Sequence, residues 1–202
     1  GEDGPAPFFS RAMSEGRSEG RDATCPAVYA AMQAGEKGIP FIPMRGVIGS
    51  DLLAARPDWK VIQNPFEEGD DPLLLLPAIR PDFALMQVAE VDETGTLWFC
   101  GWQHLKTMAH AAKATLATAE RVVEGRLAAD PARSANLVGE VYVEATAEAP
   151  GGAWPLAAPP HYDLDVQAVQ AYAAAARAAS RGQGGEEWRE LIEPAVTPQA
   201  AE

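Results

Sequence analysis

The chain has 202 residues, of which 47% are hydrophobic and 22% charged, and 16 basic against 29 acidic side chains give a formal net charge of −13. This composition is typical of a folded domain and excludes wholesale disorder. The negative charge argues against nucleic-acid and anionic-membrane partners, because both bind basic surfaces. No hydrophobic run approaches the roughly 20 residues that span a bilayer. The two cysteines are too few for a disulfide framework, so the sequence predicts a cytoplasmic protein.

Hydrophobic spacing, bounded by proline and glycine, predicts short elements in the first third of the chain. In chain order they are a helix over 8–13, a helix over 26–35, a strand over 38–43, a brief helix over 51–55 and a strand over 59–63. Thr24 or Cys25 is predicted to cap the second helix, which starts near Pro26. Ser50 is predicted to cap the third helix.

The middle of the chain is predicted to form strands, apart from one stretch that could be helix or strand. Strands are predicted over 73–76, over 83–91 and, after a turn over 92–96, over 97–100. The hydrophobic run over 83–91 is typical of an interior parallel strand. Residues 104–123 have the composition of a helix, but Thr115 and Thr118 leave open a switch to a strand within 113–120.

The last third is predicted to hold one strand and two helices. Alternating side chains predict the strand over 139–145, and a proline- and glycine-rich loop follows over 146–162. Helices are predicted over 164–179 and 186–192, before a frayed tail over 193–202.

The best local candidate for a binding site is the loop from Arg45 to Asp51. Gly46 and Gly49 would let backbone N–H groups approach a ligand, Ser50 would open a helix whose N-terminus favours anions, and Arg45 could pair with a carboxylate or phosphate. The alternative is an ordinary strand-to-helix turn with a surface arginine.

Other polar residues show no pattern that predicts catalysis or metal binding. The three histidines and two cysteines lack metal-ligand spacing, so no metal site is expected. The acidic run over 67–71 is predicted to be a solvated loop, and Glu120 an exposed or salt-bridged acid.

Seven short segments form an ordered set of motifs. They are Ala34 to Pro43, Gly49 to Leu52, Asn64 to Phe66, Pro77 to Asp82, Asp92 to Thr96, Ala111-Ala112-Lys113 with Thr118-Ala119-Glu120, and Glu148 to Pro155 with Tyr162 to Asp165. In this order they resemble the α subunit of family I CoA-transferases of the glutaconate CoA-transferase type. An ordered set over residues 5–192 is far more specific than any one motif.

The resemblance implies an α/β fold with an open, mostly parallel sheet flanked by helices, in which residues 115–120 form a strand. Relatives begin with further strand–helix units, and this chain starts at Gly1 instead of Met. We therefore expect residues 1–202 to be a single α-type domain that lacks its first strand–helix units. These units are expected on another chain or to have been removed.

The resemblance also implies an activity. In such transferases CoA moves between an acyl-CoA and a carboxylic acid through a glutamyl-CoA thioester on a partner β subunit of the same fold. A heterodimer or heterotetramer is expected, with coenzyme A as a substrate and no further cofactor. This chain would carry no catalytic nucleophile. Arg45, Gly46, Gly49 and Ser50 would form a wall of the acyl pocket, with Arg45 as the carboxylate clamp.

Two departures from the family pattern keep other activities open. Gln87, a predicted substrate-binding residue, stands where many relatives carry histidine, and Thr96 replaces the usual asparagine of the turn. The alternatives are a ring-opening acyl-CoA hydrolase, an acyl-CoA decarboxylase or a non-catalytic scaffold subunit. In the hydrolases an α-side carboxylate acts just before the second helix. Asp22 is the nearest acid to that position, and its alternative role is that of an exposed aspartate at the end of a strand.

Overall fold

The computed structural model describes residues 6–196, with side chains through residue 191. The helices are α1 (Pro7–Ser14), α2 (Cys25–Glu36), α3 (Asp51–Ala54), α4 (Gln103–Ala111), α5 (Val166–Ser180) and α6 (Gly185–Val196). The strands are β1 (Phe41–Met44), β2 (Lys60–Gln63), β3 (Pro72–Pro77), β4 (Phe83–Asp92), β5 (Leu97–Trp98), β6 (Ala114–Val123), β7 (Leu137–Val138) and β8 (Val143–Glu148). They form two compact units, a larger one over 21–153 and 158–163 and a smaller one from the remaining described residues.

The first part of the larger unit is a small antiparallel sheet that packs on α2. Its strand order is β1-β3-β2. Buried Leu74 and Leu76 of β3 pack with Ala27 and Ala31 of α2. The start of α2 is as predicted, because the Thr24 side chain accepts a hydrogen bond from the Ala27 backbone N–H at 3.3 Å.

The second part is a five-stranded sheet in the order β7-β5-β4-β6-β8. Strands β4, β6 and β8 are parallel neighbours, whereas the hairpin partner β5 and then β7 add antiparallel pairs. The α/β class is thus confirmed, and the parallel pairing is confined to one half of a mixed sheet. One face buries a core with α4 that includes Val88, Phe99 and Ala109.

Two predictions in this region have different outcomes. Residues 113–120, which composition leaves open between helix and strand, form a strand as the family resemblance implies. Helix α4 ends at Ala111 and β6 begins at Ala114. The strand predicted over 139–145 is wrong in its first half, because Glu140–Tyr142 form a 3₁₀ turn and β8 starts at Val143. The Glu140 carboxylate accepts a hydrogen bond from the Thr96 hydroxyl at 3.0 Å, which ties this turn to the β4–β5 hairpin.

The smaller unit is helical. Asp165 caps α5 by accepting a hydrogen bond from the Ala168 N–H at 2.9 Å. The rings of Phe8 on α1 and Trp188 on α6 have centroids 4.8 Å apart. Helix α6 runs to Val196, past its predicted end, and the rest of the predicted tail, 197–202, lies outside the described residues. Along 6–196, every helix is too short or too polar to cross a bilayer.

Candidate functional site

The Arg45 side chain already holds a carboxylate of the protein. Its Nε and Nη2 donate to the two Asp71 oxygens at 3.0 and 2.7 Å, and this bidentate pair joins the end of β1 to the start of β3. The Arg45 guanidinium holds the pKa of Asp71 below its ordinary value, and the Asn64 amide adds to this effect. The side chain of Arg45 is nevertheless 66% exposed. A second carboxylate could therefore reach it from solvent.

The loop that follows Arg45 has an unusual backbone. Val47 has φ 62°, a left-handed conformation that is strained for a β-branched residue, and Gly49 has φ 80°. Val47 packs beside the α2 core, which holds it in place. The Ser50 hydroxyl donates to the Val47 carbonyl at 2.6 Å. Ser50 stands at the cap position of α3, but its side chain forms no capping hydrogen bond.

Gln87 lies in the other sheet, on β4. Both of its amide hydrogens are used, since Nε2 donates to Glu120 at 2.7 Å and to the Ala149 carbonyl at 3.1 Å. Its carbonyl oxygen accepts a hydrogen bond from the Thr118 hydroxyl on the adjacent strand β6. A Cβ added at Gly152 would lie 2.7 Å from the same oxygen. Gln87 is thus packed tightly between β6 and the loop after β8.

Glu120 is the centre of this network and is 7% exposed. Its carboxylate accepts hydrogen bonds from the Tyr162 hydroxyl at 2.5 Å, the Gly151 N–H at 2.6 Å and Gln87. Burial alone raises the pKa of Glu120, but the hydrogen bonds from Tyr162, Gly151 and Gln87 outweigh burial and hold it below its ordinary value. The prediction of an exposed or salt-bridged acid is therefore wrong, and Glu120 is a buried anion satisfied by neutral donors.

A shallow groove of about 540 Å³ lies on the outer face of the parallel strands. Leu85 of β4, Leu116 of β6 and Ala145 of β8 lie side by side along it, in register across the three strands. Gln87, Thr118 and Thr146 form its polar part. The groove is mainly hydrophobic with one amide and two hydroxyl groups, which is the composition expected of a site for a small organic group.

Asp22 lies before α2, in a segment that is exposed and is not a strand. Its backbone carbonyl accepts a hydrogen bond from Arg56 at 2.9 Å, while the same guanidinium pairs with Asp58 and stacks 4.1 Å from the centre of the Trp59 ring. These contacts fix the backbone of Asp22. Its carboxylate takes part in no hydrogen bond between described residues.

The predicted site residues thus occupy separate places. Arg45, Gly46, Gly49 and Ser50 share the loop between β1 and α3, and Gln87 lies on β4 of the other sheet. No group of histidine, cysteine and acidic side chains that could hold a metal ion occurs among the described residues.

The sequence alone does not predict that Glu120 is buried and hydrogen-bonded, although Glu120 and its partners Gly151 and Tyr162 all lie in the family motifs. Glu120 ends the sixth motif, whereas Gly151 and Tyr162 lie in the two halves of the seventh, and the fold brings the three residues together. Likewise, Lys113 of the sixth motif and Asp82, which ends the fourth, form an ion pair at 2.6 Å. Contacts between motif residues thus occur at both ends of β6, buried at Glu120 and exposed at Lys113.

No protein-family model matches the chain. Among curated proteins, one subunit of the 3-oxoadipate CoA-transferase of Pseudomonas knackmussii is 32% identical over 145 residues, which are 71% of this chain and 50% of that protein. The IpdA subunit of the cholesterol ring-cleaving hydrolase of Mycobacterium tuberculosis is 30% identical over 179 residues, 84% of this chain and 61% of that protein. The chain therefore spans half to about three fifths of the length of these relatives.

Solved structures show the same fold. The glutaconate coenzyme A-transferase of Acidaminococcus fermentans matches with a TM-score of 0.80 at 24% identity, over 95% of this chain and 63% of that one. A variant of the decarboxylase AibA/AibB matches with a TM-score of 0.77 at 26% identity, over 92% of this chain and 66% of that one. Together with the ordered motifs, these similarities confirm that the chain resembles the α subunits of family I CoA-transferases.

Proposed function

We propose that the chain is the α subunit of a CoA-transferase that moves CoA between an acyl-CoA and a carboxylic acid. The observation that carries this proposal is the 32% identity to a subunit of the 3-oxoadipate CoA-transferase. The subunit names of its relatives support a heteromeric complex with a β subunit, which would be a heterodimer or heterotetramer. We place this complex in the cytoplasm, with coenzyme A as a substrate and no further cofactor.

The proposed nucleophile of the reaction is a glutamate of the β subunit. Its carboxylate attacks the acyl-CoA carbonyl and expels CoA thiolate, which leaves an acyl–glutamyl anhydride. The thiolate then attacks the glutamyl carbonyl, so the first carboxylic acid leaves and a glutamyl-CoA thioester forms. Attack by the acceptor carboxylate and return of the thiolate to the new acyl carbonyl complete the transfer and restore the glutamate.

This chain would bind and orient the acyl group. The groove beside Gln87 would contact its hydrocarbon part, while the loop with Arg45, Gly46, Gly49 and Ser50 would line the pocket. For Arg45 to clamp a substrate carboxylate, that carboxylate must share or replace Asp71, because Asp71 occupies two guanidinium N–H groups. Because three guanidinium N–H groups remain, a free carboxylate on the substrate would pair with Arg45 beside Asp71 or replace Asp71.

A second candidate is an acyl-CoA hydrolase. The specific observation is that similarity to the ring-cleaving hydrolase subunit extends over 179 residues, against 145 for the transferase subunit. In that case Asp22 would be the α-side carboxylate. The match to AibA/AibB makes a decarboxylase a further outcome of the same test.

The test uses the complex of this chain with its native partner. The complex is incubated with acyl-CoA with or without a carboxylate acceptor, and borohydride is added before peptide mass analysis. Reduction of a partner glutamate that requires acyl-CoA, together with turnover that requires the acceptor, supports transfer. Turnover without an acceptor and without a reduced glutamate refutes it. The products, a free acid or carbon dioxide, then separate hydrolysis from decarboxylation, and Asp22→Asn tests the hydrolase role of Asp22.

A further inference from the structure

The groove on the outer face of the parallel strands has a polar end whose hydrogen-bonding character is fixed by the fold. This end is formed by Gln87 of β4 and Thr118 of β6, which lie opposite each other in the strand register. An amide and a hydroxyl can each donate as well as accept hydrogen bonds. The kind of ligand that fits here therefore depends on which of their groups the protein already uses.

The amide of Gln87 is held in one orientation. Its Nε2 donates to the Glu120 carboxylate at 2.7 Å and to the Ala149 carbonyl at 3.1 Å. Both partners can only accept, because Glu120 is a buried anion and Ala149 contributes a carbonyl. A reversed amide would place its oxygen against these two acceptors and leave all three without a donor, which is unfavourable in a buried position. The Gln87 oxygen therefore faces Thr118 instead of Glu120.

The remaining donor at this end is used as well. The Thr118 hydroxyl donates its single hydrogen to the Gln87 oxygen. A ligand can therefore use only the free lone pairs of the Gln87 oxygen and of the Thr118 hydroxyl, and Thr118 is exposed. The Thr146 hydroxyl, which also lines the groove, can rotate to donate or to accept and so does not select between ligands.

The charge around this end favours the same kind of ligand. None of the described residues that line the groove is charged. Gln87 is hydrogen-bonded to the Glu120 carboxylate, whose other donors, the Tyr162 hydroxyl and the Gly151 N–H, are neutral. The attraction of His161 on this carboxylate is weaker than these hydrogen bonds. A ligand carboxylate at Gln87 would therefore meet two acceptors and the field of a buried anion.

We propose that the groove selects acyl groups that carry a hydrogen-bond donor, a hydroxyl or an amide N–H, and discriminates against acyl groups that place a carboxylate there. Gln87 and Thr118 would accept the donor. Glu120 would be a positioning residue, since it fixes the Gln87 amide and does not contact the acyl group. The inference rests on the proposed function in that the groove holds an acyl group. It adds the substrate class, and it leaves any substrate carboxylate to Arg45 on the other sheet.

The first test measures binding of unreactive CoA thioethers to the complex of this chain with its native partner, by calorimetry. The hydroxyhexyl and heptyl thioethers differ only in a terminal hydroxyl or methyl group. The hydroxyhexyl thioether is expected to bind about 5- to 10-fold more tightly, which corresponds to one hydrogen bond. Gln87→Met keeps the size of the side chain without its amide and is expected to reduce this preference to about 2-fold or less. The matched control, Gln170→Met at an exposed position of α5, is expected to keep it.

The second test uses Glu120→Gln and a carboxypentyl thioether of CoA. A glutamine at this position can donate to the Gln87 oxygen, so the Gln87 amide can reverse and offer an N–H to the groove. The ratio of the dissociation constants of the carboxypentyl and hydroxyhexyl thioethers is expected to fall by about 10-fold or more. A merely structural role of Glu120 would weaken the binding of both thioethers alike and leave this ratio unchanged. Arg45 is present in both proteins, so its effect on carboxylate binding cancels.

Three results would overturn the proposal. They are equal binding or no binding of the hydroxyhexyl and heptyl thioethers, a preference that survives Gln87→Met, and a ratio that Glu120→Gln does not change. Circular dichroism and the unfolding midpoint show whether each variant is folded.

A CoA-transfer assay separates this proposal from the proposed function. A complex that transfers no CoA but shows these preferences retains the selectivity of the groove and refutes the function. An active complex that lacks them refutes the selectivity alone.

Discussion

Replacing Glu120 with glutamine tests whether a buried carboxylate holds β6 to the loop after β8. In the protein, one carboxylate oxygen accepts from Tyr162 and Gln87, and the other accepts from the Gly151 N–H at 2.6 Å. A glutamine keeps one acceptor and turns an NH₂ group toward one of these donors. The change loses one hydrogen bond to a charged group and leaves a buried donor unpaired. The free energy of unfolding should therefore fall by about 2–4 kcal/mol.

Urea unfolding of the full chain at pH 7, followed by tryptophan fluorescence, measures this loss. Glu144→Gln, an exposed position on β8, is the matched control and should change stability by less than about 0.5 kcal/mol. Because the pKa of Glu120 is lowered on folding, its charge stabilises the protein above its ordinary pKa of about 4.5, and this contribution is lost as the pH falls toward the folded pKa. The difference between the chain and Glu120→Gln should thus shrink below pH 4.5. An equal stability of the two proteins at pH 7 would refute the reasoning.

Three further changes test other parts of the structure. Phe99→Ala removes a ring that is 2% exposed, and calorimetry should show a loss of about 3–5 kcal/mol; a loss smaller than about 1 kcal/mol argues against this core. Gly35→Ala places a Cβ 2.1 Å from the Ile79 carbonyl oxygen, so urea unfolding should show about 1–3 kcal/mol lower stability, and neutrality contradicts the close packing. Asp71→Asn releases Arg45, so in the assembled complex KM for an acyl-CoA with a free carboxylate should fall, whereas a rise speaks against the clamp.

Local patterns in the sequence were sufficient for most of the fold. The hydrophobic run of β4, the turn before β5 and the start of α2 each depend on neighbouring residues, and the sequence predicts each, although it leaves the cap of α2 open between Thr24 and Cys25. The switch from α4 to β6 was not decided by composition, because Lys113 to Glu120 contains alanines beside β-branched threonines. Only the family resemblance predicted it.

The candidate site was harder to predict because its contacts join distant residues. Asp71 lies 26 residues after Arg45, and Tyr162 lies 42 residues after Glu120. No local pattern shows that Arg45 already has a carboxylate partner or that Glu120 is buried. The sequence predicts Ser50 as a helix cap, but its hydroxyl donates to the Val47 carbonyl and makes no capping hydrogen bond.

The close approach of Gly152 to Gln87 limits how the proposed acyl groove can be changed. A side chain at 152 would meet the Gln87 amide at 2.7 Å, so the space at one position depends on the residue at the other. Substitutions at the two positions are therefore expected to be non-additive. Libraries that vary residue 87 alone would sample only replacements that fit the present loop. Redesign of the groove should vary positions 87 and 152 as a pair.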